Sequence, residues 1–284
     1  MDRHRLRMMF EEVPELYDRA RPIYPAQVFD DLVALAGLPE GGRIVEIGCG
    51  TGQATLPLAE RGFEIVCVEL GAGLAEVARR KLAPFPNVEI VNDRFETWES
   101  EAGDFDAVVA FTAFHWIDPE VRYAKSARVL RNDGALAVVA TQHVLTERGN
   151  PFWAGVQEDY DAVEPSDDNR PPPHPDEVGD LSSEIDASGC FVNVAVRRHL
   201  WDVRYSPDEY IAVLDTYSGH RSMDDGARKT LYDRIRRRIE SRPGQRVTKT
   251  YLATLNVARR LSRTRREGSG ASARRGRPRR PREP

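Results

Sequence analysis

The sequence predicts a doubly wound α/β fold, and three observations predict it. Short apolar runs alternate with helical segments along the first 140 residues. A glycine-rich turn, VEIGCGTGQAT at 45–55, closes the first of those runs. A carboxylate, Glu69, ends the second. Repeated βα units of this kind bury a parallel sheet under helices on both faces, and ligands bind such sheets at the carboxyl ends of the strands.

Each element has its own local signal. VPELYDRARPIYP followed by AQVFDDLVALAG (13–37) gives an interrupted helical segment with a glycine stop. Strands are expected near 43–47, 64–69, 88–91, 105–111 and 134–140, with helices near 53–61, 73–83 and 119–130. DAVVAF and GALAVVA are apolar throughout, as suits strands covered on both faces. Asp118-Pro119-Glu120 places a capping carboxylate before a proline at the first helical position. Residues 145–190 depart from this rhythm: PFWAGVQEDYDAV is an aromatic helix running into the proline-rich PSDDNRPPPHP, and helix resumes over 176–188. VNVAVRRHLWDVRY at 192–205 alternates like a strand. Ser206-Pro207-Asp208-Glu209 is a capping box, opening a helix over 207–216, and another follows at 224–240. VTKTYLATLNVA supplies the last candidate strand.

The expected organisation is an amino-terminal helical cover (1–36) and a main domain (37–261). The domain carries a loop and helix insertion at 145–190 and a helical insertion at 205–245. A disordered basic tail (262–284) follows. That tail holds nine arginines against two glutamates, which makes it +7 and leaves −11 for the rest of a chain of net charge −4. An acidic body argues against a nucleic-acid-binding core. No segment is long and apolar enough to span a membrane. Cys49, Cys67 and Cys190 have no CxxC spacing, so neither a zinc site nor a disulfide framework is expected, and a reducing cytoplasm is.

The glycine turn is tested by its spacing. From Gly48 the sixth position of GxGxxG is Gln53, and from Gly50 it is Thr55, so the third small residue of the dinucleotide fingerprint is missing. No GxxxxGK[ST] occurs, which excludes a P-loop. The turn with Glu69, 17 residues after Gly52, reads as a nucleoside site of another kind.

VEIGCGTG, the acidic end of VCVEL and the later FDAVVAFTAFHWID together resemble class I S-adenosylmethionine-dependent methyltransferases. YDRARPIYP, FETW (95–98) and TYSGHR (216–221) resemble a small-molecule branch akin to trans-aconitate methyltransferases. The resemblance implies a seven-stranded, mostly parallel Rossmann-like sheet whose last strand inserts antiparallel between the fifth and sixth. It also implies S-adenosylmethionine as cofactor and a small-molecule methyl acceptor, with no metal. It implies that Gly48, Gly50 and Gly52 lie along the methionine portion, that Glu46 orients the amino group, and that Glu69 binds the ribose hydroxyls. Leu70 would pack on the adenine, Asp93 would take its amine, and Phe95 would lie nearby. Tyr17 and Arg21 belong to a segment expected to fold over the cofactor. His115, after the fourth strand, is the candidate general base, because an imidazole takes up protons near neutrality. Trp116, Tyr217 and Arg221 are the candidate acceptor contacts. A noncatalytic S-adenosylmethionine-binding protein, an NAD-dependent oxidoreductase and a tail-assisted nucleic-acid methyltransferase are the competing readings.

Overall fold

The computed structural model describes residues 13–164 and 170–262, so most of the expected basic tail and part of the proline-rich loop lie outside the described residues. Seven strands form one sheet in the order β3-β2-β1-β4-β5-β7-β6. They are β1 (Arg43–Ile47), β2 (Glu64–Glu69), β3 (Val88–Asn92), β4 (Phe105–Phe111), β5 (Leu130–Val144), β6 (Phe191–Tyr205) and β7 (Val247–Arg260). The first five run parallel, and β7 is antiparallel to both β5 and β6. The expected sheet, last strand included, is the observed one. β5 is longer than expected because it starts at Leu130, directly after the preceding helix.

The central strands β1, β2 and β4 are buried on both faces, which is why their sequences are runs of Val, Ile and Ala without alternation. Helices α1 (Pro14–Ala20), α2 (Ala26–Ala36), α3 (Thr55–Glu60), α4 (Ala72–Leu82) and α5 (Pro119–Val129) surround them. In α4, Leu74, Ala75, Val77, Ala78 and Leu82 fill one face, while Arg79, Arg80 and Lys81 place positive charge in the last turn, opposite the helix dipole. The Asp118 carboxylate caps α5 by accepting the Glu120 amide at 3.0 Å.

A second layer comes from the later chain. Helices α6 (Pro151–Val163), α7 (Ser182–Ala187), α8 (Pro207–Leu214), the short α9 (Ser218–Arg221) and α10 (Asp225–Glu240) follow among the described residues. Phe152, Trp153 and Val156 of α6 pack with Tyr210, Val213 and Leu214 of α8 and with Leu231, Ile235 and Ile239 of α10. The nearly buried Asp159 carboxylate joins α6 to α10 by accepting from Arg234 Nε at 3.0 Å and from Arg238 Nε and Nη2 at 2.8 and 3.0 Å. The Ser206–Glu209 capping box is formed in both directions. This helical layer stands beside the carboxyl ends of β4 and β5, so it walls the edge at which ligands of such sheets bind.

The two ends of the described chain are tied together by Arg259 of β7. Its guanidinium donates to the carbonyls of Ala36 (2.6 Å), Leu35 (3.0 Å) and Asp133 (3.2 Å). Two of those carbonyls belong to the last turn of α2, which has no helical amide to satisfy them. Arg259→Met keeps the stem and removes the donors, so it is expected to destabilise the fold by about 2 kcal/mol, read from the midpoint shift in urea denaturation.

Candidate functional site: two adjoining cavities

The glycine turn after β1 holds its shape through positive φ angles at Gly48 (66°), Gly50 (59°) and Gly52 (84°). Side-chain-bearing residues rarely adopt this region. A Cβ on Gly48 would lie 2.7 Å from that of Ala113, so the turn passes too close to the loop after β4 for any side chain there. The Glu69 carboxylate fixes the turn: Oε2 accepts the Gly50 amide and Oε1 the Gly71 amide, both at 2.8 Å. The turn is also tied to α1. Thr51 Oγ1 donates to Asp18 at 2.8 Å, and Lys81 donates to the same carboxylate oxygen at 2.8 Å.

Two cavities open beside this turn. The first, about 300 Å³, is lined by Gly48, Gly50, Glu69, Leu70, Asp93 and Phe95 together with Tyr17, Arg21, His115 and Trp116. Its residues fit S-adenosylmethionine. The side-chain-free Gly48 and Gly50 leave backbone open to a ligand, and a carboxylate has enough acceptor sites to bind a vicinal diol in addition to two amides. Leu70 and Phe95 give the cleft an apolar wall. The Asp93 carboxylate, accepting from the Arg94 amide (2.7 Å) and Thr97 Oγ1 (3.1 Å), is half-buried at its rim.

The second cavity, about 470 Å³, lies under the helical layer. It adjoins the first across Tyr17, Arg21, Gly48, Gly50, Thr112, Thr141 and Tyr217, which line both. Thr112 has φ of 54°, an unusual conformation for a β-branched residue, and this strain sits where the two cavities meet. The Thr112 amide donates to Val139 O at 2.7 Å and its hydroxyl bonds Tyr24 Oη at 3.1 Å, which holds the strained residue in place.

The wall of the second cavity is a cross-strand row. His143 of β5 pairs with Tyr251 of β7, which pairs with Trp201 of β6, so three rings share one face of the sheet. Trp201 and Tyr251 stack with centroids 5.2 Å apart. Lys249, only 3% exposed, donates from Nζ to Tyr217 Oη at 3.1 Å. Its Nζ lies 5.0 to 5.5 Å from the ring centres of Tyr217, Tyr251 and Tyr210, which gives a desolvated cation aromatic neighbours. Burial, with Lys249 adding to it, pushes the His143 imidazole down to about 2, so it is neutral. His143 Nε2, Trp201 Nε1 and Arg21 Nε are buried without a hydrogen-bond partner among the described residues, and all three residues line this cavity. Buried polar atoms left this way mark where a polar ligand would be held.

Not every expected residue lines the first cavity. Gly52 lines neither cavity; its α-carbon faces Leu82, so its role here is helix packing. Glu46 is buried, accepts the Thr55 hydroxyl at 2.7 Å and lines the second cavity, not the first. Arg221 lines neither cavity and pairs with Asp215 at 3.4 Å. His115 and Trp116 sit in a 3₁₀ turn (Phe114–Trp116) with rings 4.7 Å apart. Both line the first cavity and not the second, and His115 is exposed. The His115 ring thus borders the cavity that also holds Glu69 and Asp93. Trp116 is likewise beside the cofactor cleft. Arg21 and Tyr217 meet at the junction: the Arg21 guanidinium lies 4.7 Å from the Tyr17 ring centre and 4.4 Å from that of Tyr217. Lys249, Tyr251, Trp201, His143, Trp153 and Tyr160 escape sequence reasoning. The in-phase pair Lys249 and Tyr251 in β7 was the available signal, but only strand register shows what it faces.

Burial above all pushes the Glu46 carboxyl up from 4.5 to about 7; the Thr55 hydroxyl pulls against this and the Glu69 charge adds to it. A carboxyl raised on folding contributes stability that is fully present below the unfolded value and is lost as pH rises through the folded one. Between pH 4.5 and 7 this group is therefore expected to cost the fold about 3 kcal/mol. Denaturation of wild type and Glu46→Gln across that window checks it, since the glutamine variant lacks this component of the pH dependence.

Residues 44–134 match the family model described as "Methyltransferase domain". An uncharacterised methyltransferase of Mycobacterium tuberculosis strain H37Rv is 32% identical over 137 residues, covering 48% of this chain and 54% of that protein. A demethylmenaquinone methyltransferase of Clavibacter sepedonicus is 30% identical over 167 residues, covering 56% of this chain and 65% of that one. The chain spans about half the length of the first of these relatives. Among solved structures, a putative type II methyltransferase of Anaeromyxobacter dehalogenans superposes with a TM-score of 0.55 at 21% identity, over 84% of this chain and 97% of that one, a likeness of fold. The glycine turn, the Glu69 carboxylate and nearly all of the strands that hold them fall inside the matched segment, so the part of the chain that forms the first cavity is similar to a methyltransferase domain.

Proposed function

We propose that the chain transfers a methyl group from S-adenosylmethionine to a small organic molecule bound in the aromatic cavity. The observation that carries this reading is the meeting of the two cavities. A cleft suited to the cofactor and a cavity walled by tryptophan and tyrosine share Tyr17, Arg21, Gly48, Gly50, Thr112, Thr141 and Tyr217. When bound, the cofactor supplies an electrophilic methyl carbon on a sulfonium. The chain's part is alignment: methyl transfer is an in-line displacement, and holding both reactants in register supplies much of the rate.

In this reading Glu69 and the glycine turn fix the nucleoside end, while Tyr17 and Arg21 of the α1 segment close over the junction. The helical layer forms one wall of the acceptor cavity through Trp153, Val156, Tyr160, Tyr210 and Leu214. Arg21, Lys249 and Arg170 bring positive charge to that cavity. They favour an acceptor with an electron-rich oxygen, a carboxylate or a hydroxyl. A carboxylate would accord with the likeness to trans-aconitate methyltransferases. A pocket of this volume suits a small ligand far better than a nucleic acid, whose binding needs an extended basic face. Among the described residues no helix is long and apolar enough to cross a membrane, and no cluster of His, Cys, Asp or Glu could hold a metal ion. Three free cysteines support placing the protein in the reducing cytoplasm.

Titration calorimetry with S-adenosylhomocysteine tests the cofactor half of this reading. Binding is expected for the wild type. Glu69→Ala, which loses the ribose acceptor and unpins Gly50 and Gly71, is expected to weaken it at least tenfold. Transfer of a labelled methyl group to a panel of carboxylic acids, phenols and amines tests the other half. Binding without transfer to any acceptor would instead support a noncatalytic cofactor-binding protein.

A further inference from the structure

Tyr217 stands where the two cavities meet, and its surroundings single it out among the tyrosines. Lys249 of β7 donates to its Oη at 3.1 Å. The Arg21 guanidinium of the α1 segment lies 4.4 Å from its ring centre. Tyr17 faces it from α1, Tyr251 from β7, Tyr205 from β6, Tyr210 from α8, Tyr160 from α6 and His220 from its own helix α9. The phenols among these are neutral near pH 7. His220 is neutral as well, since burial, Lys249 and Arg228 push it down to about 4. The charged groups that act most strongly on the Tyr217 oxygen are thus the cations Lys249 and Arg21, with Tyr251 adding a hydrogen bond, while Glu46 and Glu69 stand farther along the two cavities.

We propose that Tyr217, with Lys249 and Arg21 stabilising its phenolate, takes the acceptor's proton, so that the acceptor is a flat molecule bearing a weakly acidic hydroxyl, a phenol or an enol. This inference rests on the methyltransferase reading and narrows it. The acceptor's O–H bond breaks with its proton passing to Tyr217 Oη. The freed oxygen bonds the methyl carbon, and the electron pair of the broken carbon–sulfur bond stays on sulfur as a neutral thioether. Proton loss to solvent then restores the phenolate. A carboxylate acceptor would need no such base and would meet a like charge at Tyr217. Trp153, Trp201 and Tyr251 line the cavity with flat faces that suit a ring.

The electrostatics agree with the geometry. Burial alone would raise the Tyr217 phenol, but Lys249 and Arg21 outweigh it and hold the group below its ordinary value of 10. The other eight of the nine tyrosines are all raised. A spectrophotometric titration of tyrosinate in the full cofactor-free chain therefore isolates this residue. One tyrosine is expected to ionise below 10, the signal to vanish in Tyr217→Phe and to move upward in Lys249→Met. In assays with phenols, kcat/KM is expected to rise with the same ionisation. Tyr217→Phe is expected to lower kcat by about 100-fold with KM little changed, and a phenol already ionised at the assay pH should restore most of the rate. A wild-type titration with no tyrosine ionising below 10 overturns the proposal without needing any variant. So does methylation of carboxylic acids and not phenols. Failure of S-adenosylhomocysteine to bind would instead overturn the methyltransferase reading itself.

Discussion

The carboxylate of Glu69 is the contact on which the site depends. It closes β2 and accepts the amides of Gly50 and Gly71, so one side chain fixes the turn after β1 against the start of α4. Those amides belong to segments that cannot continue a sheet ladder, and buried backbone groups must find partners. Because the turn is fixed, Gly48 can approach Ala113 with no room for a side chain, and the loop after β4 comes to rest beside it. The cofactor cleft is the space these three loops leave at the carboxyl edge of the sheet. Asp18 adds α1 to the same assembly through Thr51 and Lys81, which carries Tyr17 and Arg21 to the junction.

The chemistry of the second cavity follows from a different constraint, the insertion of β7 between β5 and β6. Antiparallel register places Tyr251 between His143 and Trp201 and sets Lys249 two residues before it on the same face. A lysine this deeply buried needs compensation, and it finds it in the Tyr217 hydroxyl and three tyrosine rings. The result is a positively charged, aromatic compartment inside a body whose overall charge is negative. Such local reversal of sign lets an acidic chain present a positive pocket to a ligand.

The parts of this arrangement legible in the sequence are those written locally. Apolar runs mark the buried strands, the Asp118-Pro119 and Ser206–Glu209 signals mark helix starts, and the glycine turn with Glu69 marks the cleft. What sequence reasoning misses is set by pairing between distant strands. Nothing adjacent to Lys249 indicates that it meets Tyr217, 32 positions away, or that Trp201 shares a face with His143. Local reasoning also leaves the outcome of short turns open. His115 follows β4 and carries a proton acceptor, and the 3₁₀ turn sets it beside the first cavity. Arg221 follows Tyr217 by only four residues, and one helical turn suffices to send it to Asp215 instead.

In the proposed function the cofactor cleft and the aromatic cavity meet at a single reacting point beside Tyr17, Arg21 and Tyr217. A crystal structure with S-adenosylhomocysteine bound tests this most directly. The account predicts the ribose on Glu69 and the sulfur at the junction, facing the aromatic cavity. A ligand lying along the cleft with its sulfur turned away from that cavity, or seated within the aromatic cavity itself, would contradict it.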